Sequence, residues 1–220
     1  MIAKDLISYN VPPLKTTDTG DKALQWMSDF YVRHLPIVEN NQFVGLIGED
    51  DIMDLSNPEL PIKAHQLSLQ RPFVNGEEHI YETIKIFVNL QLSVLPVIDL
   101  DNNYLGIITP DSLLTYFAQS ASLQQAGGIL IIEVNVRDYA MSEIARIVES
   151  EGASILSSFV TSRLDATKVE ITLKINRQNL NAIIGTFQRY SYTIKASFQE
   201  NEYSQNLKER YDSLMSYLNV

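Results

Sequence analysis

The chain has 220 residues, room for two small domains, and its 45% hydrophobic and 20% charged residues are the balance of a globular protein with real cores. Its 27 acidic against 17 basic residues leave a formal net charge of −10, which repels phosphate backbones and anionic lipid and argues against nucleic-acid or membrane binding. No cysteine is present and no apolar run approaches the roughly 18 residues of a membrane span, which excludes disulfides, thiolate metal sites and transmembrane helices; a soluble cytoplasmic protein is expected.

The first ten residues, MIAKDLISYN, lack the apolar centre of a signal peptide. In DKALQWMSDF the residues Ala23, Leu24, Met27 and Phe30 share one face, which predicts a helix over 21–30. Two apolar strands, LPIV and FVGLI, then flank the turn ENNQ, a hairpin signature in which asparagine tolerates left-handed geometry. EDDIMDL predicts a short helix after it. The same order then returns. YETIKIFVNL carries Ile84, Phe87 and Val88 on a helical face, and LPVI and YLGII flank the turn DLDNN. PDSLLTYFAQSASLQQ reads as one longer helix, with Pro110 in its first turn and Gly127-Gly128 as its stop. Leu35-Pro36 recurs 60 residues later as Leu95-Pro96, and Gly45-Leu46-Ile47 recurs 61 residues later as Gly106-Ile107-Ile108. The chain therefore duplicates a strand–helix–strand–strand–helix unit.

Beyond the glycines the rhythm changes. ILIIEVNV reads as a strand, and MSEIARIVESEG as a helix with Met141, Ile144, Ala145 and Val148 inward and Gly152 as its stop. SILSSFVTS and KVEITLKI follow as strands, the second alternating Val169, Ile171, Leu173 and Ile175 with polar residues. NLNAIIGTFQRY is a helix with Leu180, Ile183, Ile184 and Phe187 inward, and TIKASF closes as a strand. The order βαββαβ implies a ferredoxin-like sheet with two helices on one face. The last segment spaces Tyr203, Leu207, Tyr211, Leu214 and Leu218 as a narrow helical stripe, suited to packing on its own domain or to a partner contact.

With its LPxx and G-h-h-x-x-x-[DS] runs in register, the duplicated unit resembles a tandem pair of CBS domains over about residues 1–120. The segment from about 129 to 198 resembles an ACT domain, and CBS pair followed by ACT is the order of acetoin-utilisation B-type (AcuB-like) proteins. The resemblance implies an α/β (α+β) chain: CBS repeat 1 at 1–62, CBS repeat 2 at 63–125, a ferredoxin-like ACT-like domain at 128–199 and a C-terminal amphipathic helix at 200–220. It also implies a regulatory Bateman module that senses an adenosine-type ligand, pairs as a homodimer and acts on a regulated partner protein. AMP, ADP, ATP and S-adenosylmethionine are the ligands to be expected.

In that family the strand-to-helix corner carries [ST]-x-x-[DN], whose hydroxyl reaches phosphate and whose acid takes the ribose hydroxyls. The chemistry is sound, since a carboxylate accepts two hydrogen bonds from a vicinal diol, and basic side chains before the Leu-Pro neutralise phosphate. Copy one has Gly48-Glu49-Asp50-Asp51, keeping the acid Asp51 and the bases Arg33 and His34 but replacing the hydroxyl with Gly48. Copy two has Thr109-Pro110-Asp111-Ser112, keeping Thr109 but carrying Ser112 for the acid, with Ser93 and Val94 for the bases. The candidate nucleotide-binding residues are therefore Arg33, His34, Gly48, Asp51 and Thr109, with the first cleft as the site. In the ACT-like segment, Asp138 and Tyr139 stand where a Pro-Gly would admit an amino-acid ligand, and Tyr139 would crowd it; dimerisation is the role expected there.

No catalytic or metal set is visible. His34, His65 and His79 show no ligand-pair spacing, and the calcium-loop-like run from Asp99 carries Tyr104 and Pro110 where glycine and glutamate are required. There is no G-x-S-x-G elbow, P-loop or G-x-G-x-x-G, and KVEITLKI lacks the aromatics of an RNA-binding sheet. A protein without enzymatic activity is expected. The alternative to a sensor is a ligand-free dimerisation or adaptor scaffold in which the CBS and ACT sites have degenerated.

Overall fold

The structure is a computed structural model and describes residues 2–65, 67, 69–161, 167–199, 211, 213–215 and 217. A boundary between Phe117 and Ala118 divides the chain into two compact units.

In the first unit each repeat is a helix followed by an antiparallel hairpin and a second helix. Repeat one contains α1 (Gly20–Asp29), β1 (His34–Glu39), β2 (Gln42–Gly48) and α2 (Glu49–Met53). Thr19 caps α1 by accepting the Lys22 N–H at 3.2 Å. Repeat two contains β3 (Val74–Asn75), α3 (Ile80–Leu90), β4 (Leu95–Ile98), β5 (Tyr104–Ile108) and α4 (Pro110–Ala118). The first strand of the expected unit is vestigial in both copies. In repeat one it is a single parallel bridge, Leu14 to Ile37, with Leu14 N–H donating to Pro36 O and Val38 N–H to Leu14 O, both at 2.8 Å. In repeat two it is the two-residue β3, parallel to β4. Pro12 and Pro13 before Leu14, and Pro72 before Val74, supply no N–H to lengthen either ladder.

The two repeats exchange segments. A 3-10 turn at Ala3–Leu6 packs with Val74, Ile80, Leu95 and Val97 of repeat two, and the chain then bridges Ser8 to Ile107. Gln70, at the start of repeat two, bridges Leu46 of repeat one. The glycines of the duplicated motif explain themselves here. A Cβ on Gly45 would lie 2.8 Å from Leu69 Cβ, and one on Gly106 only 2.4 Å from Ile7 Cγ2. Each glycine lets the exchanged segment cross the hairpin.

The single long helix expected over 110–125 is broken. α4 stops at Ala118 and a four-residue helix α5 (Ala121–Gln124) begins afresh, with the Leu123 and Gln124 N–H groups donating to Ser120 O and Ser120 Oγ 3.0 Å from Ser122 Oγ. Serine competes for local backbone bonds and so favours a new start over continuation.

The second unit is the expected βαββαβ: β6 (Gly128–Asn135), α6 (Met141–Ser150), β7 (Ile155–Thr161), β8 (Lys168–Ile175), α7 (Asn181–Arg189) and β9 (Thr193–Phe198). The antiparallel sheet has the order β7-β8-β6-β9, the ferredoxin-like arrangement. The alternation of β8 buries Val169, Ile171, Leu173 and Ile175 against Ile144, Ile147 and Val148 of α6 and Ile183 and Phe187 of α7. Of the C-terminal stripe, Tyr211 and Leu214 are helical and exposed, while Tyr203, Leu207 and Leu218 lie outside the described residues. No helix among the described residues is long and apolar enough to cross a membrane.

Candidate functional site

The corner where β1 begins and β2 ends in repeat one holds a cavity of about 220 Å³. Arg33 and His34 line it from the start of β1, and Gly48, Glu49 and Asp50 from the β2–α2 corner. Leu90 and Gln91 close it from the C-terminus of α3, so both repeats contribute. Three of the five sequence-predicted residues, Arg33, His34 and Gly48, are brought together there. Asp51 and Thr109 are not among the lining residues.

His34 pairs with Gly48 across the hairpin, and the Glu49 N–H donates to Arg33 O at 3.0 Å, which fixes the corner. The imidazole is half-buried. Its Nδ1 accepts the Ser93 backbone N–H at 3.2 Å and lies 3.0 Å from Ser93 Oγ, which itself accepts the Arg33 backbone N–H at 2.9 Å. An Nδ1 that accepts a backbone N–H carries no hydrogen, so His34 is neutral with its proton on Nε2, and the Ser93 hydroxyl donates to Nδ1. Burial holds its pKa below the usual imidazole value, aided by Arg33 and opposed by Asp51 and Asp50. Among the described residues the Arg33 guanidinium makes no hydrogen bond or ion pair, so the surface pairing open to an arginine here is not used.

Asp51 is turned back on its own helix. Its Oδ2 accepts the Gly48 N–H at 2.8 Å, and the carboxylate is solvent-exposed. The second copy shows the same device with different residues. The Thr109 N–H donates to Ser112 Oγ at 3.1 Å, and the Ser112 N–H donates to Thr109 Oγ1 at 3.2 Å. Thr109 and Ser112 thus cap each other reciprocally, whereas Gly48 offers Asp51 no hydroxyl in return. The cavity in copy one is consequently acid-rimmed by Glu49 and Asp50, with Arg33 as the one cation among its lining residues.

Sequence reasoning left Ser93 as a mere replacement for a lost base. It is instead a residue that ties the copies together at this corner, through the Arg33 N–H and the His34 ring. Leu90 and Gln91 were also missed. The left-handed Gln91, φ 50°, ends α3 as Tyr31, φ 55°, follows α1 sixty residues earlier, so the repeat offset itself carried a signal for that corner.

A second cavity, of about 430 Å³, lies at one end of the ferredoxin-like unit, lined by Glu133, Asn135, Asp138, Glu143 and residues 190–193 among others. Its acids are all engaged. Glu133 is bridged by Lys168 at 2.8 Å and Lys195 at 3.0 Å, which hold its carboxyl below the usual range; Asp138 accepts from Asn135 Nδ2 at 3.0 Å; Glu143 pairs with Arg146 at 2.6 Å. Tyr139 packs against the unit's core. Among the described residues no group of three or more His, Asp or Glu could hold a metal ion.

A sequence-family model of the CBS domain matches residues 3–57 and 67–119. Among solved structures, a CBS domain pair/ACT domain protein from Thermotoga maritima aligns at 20% identity, covering 55% of this chain and 99% of its own, with a TM-score of 0.49. A putative acetoin utilization protein, AcuB, from Vibrio cholerae aligns at 21% identity over 56% of this chain and 95% of its own, TM-score 0.47. CBSX2, solved in complex with AMP, aligns at 18% identity over 54% and 96%, TM-score 0.47.

Proposed function

The chain belongs to the CBS-domain family through two copies in tandem, and from that premise we propose that it is a non-catalytic regulatory protein that binds an adenosine-type nucleotide in its first CBS cleft. In this reading a homodimer carries the response to a partner protein. The observation that supports it is the Arg33 guanidinium, unengaged by protein among the described residues, beside a neutral His34 whose Nε2–H remains to donate. A phosphate would find one cation and one neutral donor there.

The charge of the rim narrows the ligand. Glu49 and Asp50 repel each added phosphate charge, so AMP is favoured over ADP and ATP, and the cationic S-adenosylmethionine tolerates the acids. The lost hydroxyl at Gly48 removes one charged hydrogen bond, worth about 1.5–3 kcal/mol, or roughly ten- to a hundredfold in affinity. The cleft is thus a weak one.

A specific contact favours the alternative of a ligand-free scaffold: Asp51, the residue assigned to the ribose hydroxyls, is already bonded to Gly48 N–H. Calorimetric titration with AMP, ADP, ATP and S-adenosylmethionine decides between them. Heat with AMP that Arg33→Ala abolishes supports the sensor; silence with all four supports the scaffold.

A further inference from the structure

We infer that His34 and Ser93 form a proton-operated latch between the two repeats, closed when the imidazole is neutral and open when it takes up a second proton. The inference deepens the nucleotide reading of the same cavity, since it supplies two states between which a ligand could select. It rests on that reading only for the ligand; the latch itself is a property of the chain.

The closed state is fully specified by three bonds. Ser93 N–H donates to His34 Nδ1 at 3.2 Å, the Ser93 hydroxyl sits 3.0 Å from the same nitrogen, and Arg33 N–H donates to Ser93 Oγ at 2.9 Å. With Nε2 already protonated, a second proton can go only to Nδ1. There it would face the Ser93 N–H, donor against donor, at a distance where only an acceptor is tolerated. The ring must break from the Ser93 N–H in order to be charged, since only the Ser93 hydroxyl, turned from donor to acceptor, could receive an Nδ1–H.

The charges around the ring set which state holds. Arg33 comes from the bend just before β1, and Glu49, Asp50 and Asp51 come from α2; Leu90, Gln91 and Ser93 on the other side bring none. Arg33 and burial favour the neutral, latched ring, while Asp50 and Asp51 favour the imidazolium. An anion seated on Arg33 cancels the first of these and adds to the second. Opening then delivers a second cation to the cavity in the same step that unties Ser93 from the ring. By reciprocity, an anion that shifts the proton equilibrium is itself bound more tightly at lower pH, by the same factor.

The test is imidazole ¹⁵N NMR of the full chain across pH 4.5–8, with His34→Gln identifying the signal. The expected result is an unprotonated Nδ1 at pH 7.5 and a midpoint below about 6.5. Ser93→Ala should move that midpoint upward, and AMP should raise it in the unsubstituted chain. Protonated Nδ1 at pH 7.5, or a midpoint that Ser93→Ala leaves in place, overturns the latch. Calorimetry on the same samples separates the two readings. If no AMP heat is seen and the ligand-free midpoints behave as expected, the nucleotide reading falls and the latch stands. If AMP binds and the His34 midpoint stays fixed, the coupling falls.

Discussion

Arg33 and Ser93, which occupy the same position in the two repeats, are hydrogen-bonded to each other: the Arg33 backbone N–H donates to Ser93 Oγ at 2.9 Å. The duplication has therefore produced two surfaces that meet each other, and divergence at this position serves the meeting. A basic side chain at 93, as in copy one, would offer the Arg33 N–H no acceptor oxygen at this place.

Ser93→Ala removes that acceptor and one of the two bonds to His34 Nδ1. The residue is half-buried, and a neutral hydrogen bond contributes about 0.5–1.5 kcal/mol, so a loss of about 1–2 kcal/mol is expected for the pair. Urea denaturation read by Trp26 fluorescence checks it, since the single tryptophan packs against the core of repeat one. An unchanged midpoint would show that water replaces both bonds without cost.

The hairpins, the helices of both repeats and the βαββαβ order were legible because each rests on local periodicity, and the strand spacing of LPIV and KVEITLKI needs no knowledge of distant residues. The break at Ser120 was not legible, since it rests on local contacts that periodicity does not report, the Ser120–Ser122 hydroxyl pair and the Gln124 amide on Ala118 O. The candidate site was half legible. Arg33, His34 and Gly48 sit at the paired open end of one hairpin, but Leu90, Gln91 and Ser93 arrive there only through the meeting of the repeats. The role expected for Asp51 ran into a competing use of the same carboxylate, the cap on Gly48, which the spacing of three residues permits equally.

Gly48→Ser should stabilise the chain. The backbone at Gly48 is extended, φ −96° and ψ 164°, and an added Cβ meets only ordinary contacts, 3.4 Å to Asp51 Oδ2 and 3.6 Å to His34 Cδ2. The new hydroxyl can accept the Asp51 N–H as Thr109 accepts that of Ser112. A gain of about 0.5–1 kcal/mol is expected from the cap and from the lower entropy of the unfolded chain. Thermal denaturation checks it, and a titration with AMP should show tighter binding, by roughly tenfold, if the hydroxyl also reaches phosphate.

The pH dependence of stability has a definite sign. His34 is held below its ordinary value of 6.5 in the folded chain, so as the pH falls through 6.5 the unfolded chain takes up the proton first. Stability contributed by the neutral ring is thus complete above 6.5 and is lost progressively below it, until the folded-state value is reached. His34→Gln should flatten this part of the profile. Equilibrium urea curves at pH 7.5, 6.5 and 5.5 supply the comparison, and a profile for the unsubstituted chain that rises on acidification contradicts the assignment of a neutral ring.

The two motif glycines should differ in their tolerance of alanine, although the sequence presents them as equivalents. At Gly45 the obstacle is Leu69 Cβ at 2.8 Å, so Gly45→Ala displaces the crossing segment at a cost of about 1–3 kcal/mol. At Gly106 the obstacle is nearer, Ile7 Cγ2 at 2.4 Å, and φ is +148°, a conformation that side chains rarely adopt. Strain and overpacking act together there, and a loss of about 2–4 kcal/mol is expected for Gly106→Ala. The pair of variants separates the two contributions. Adding Ile7→Ala to Gly106→Ala removes the nearest obstruction and leaves the backbone strain, with only the edge of the Tyr9 ring, Cε1 at 3.3 Å, still tight. If the strain matters, that double variant should remain less stable than Ile7→Ala alone, and if steric crowding were the whole cause the second substitution would cost nothing further.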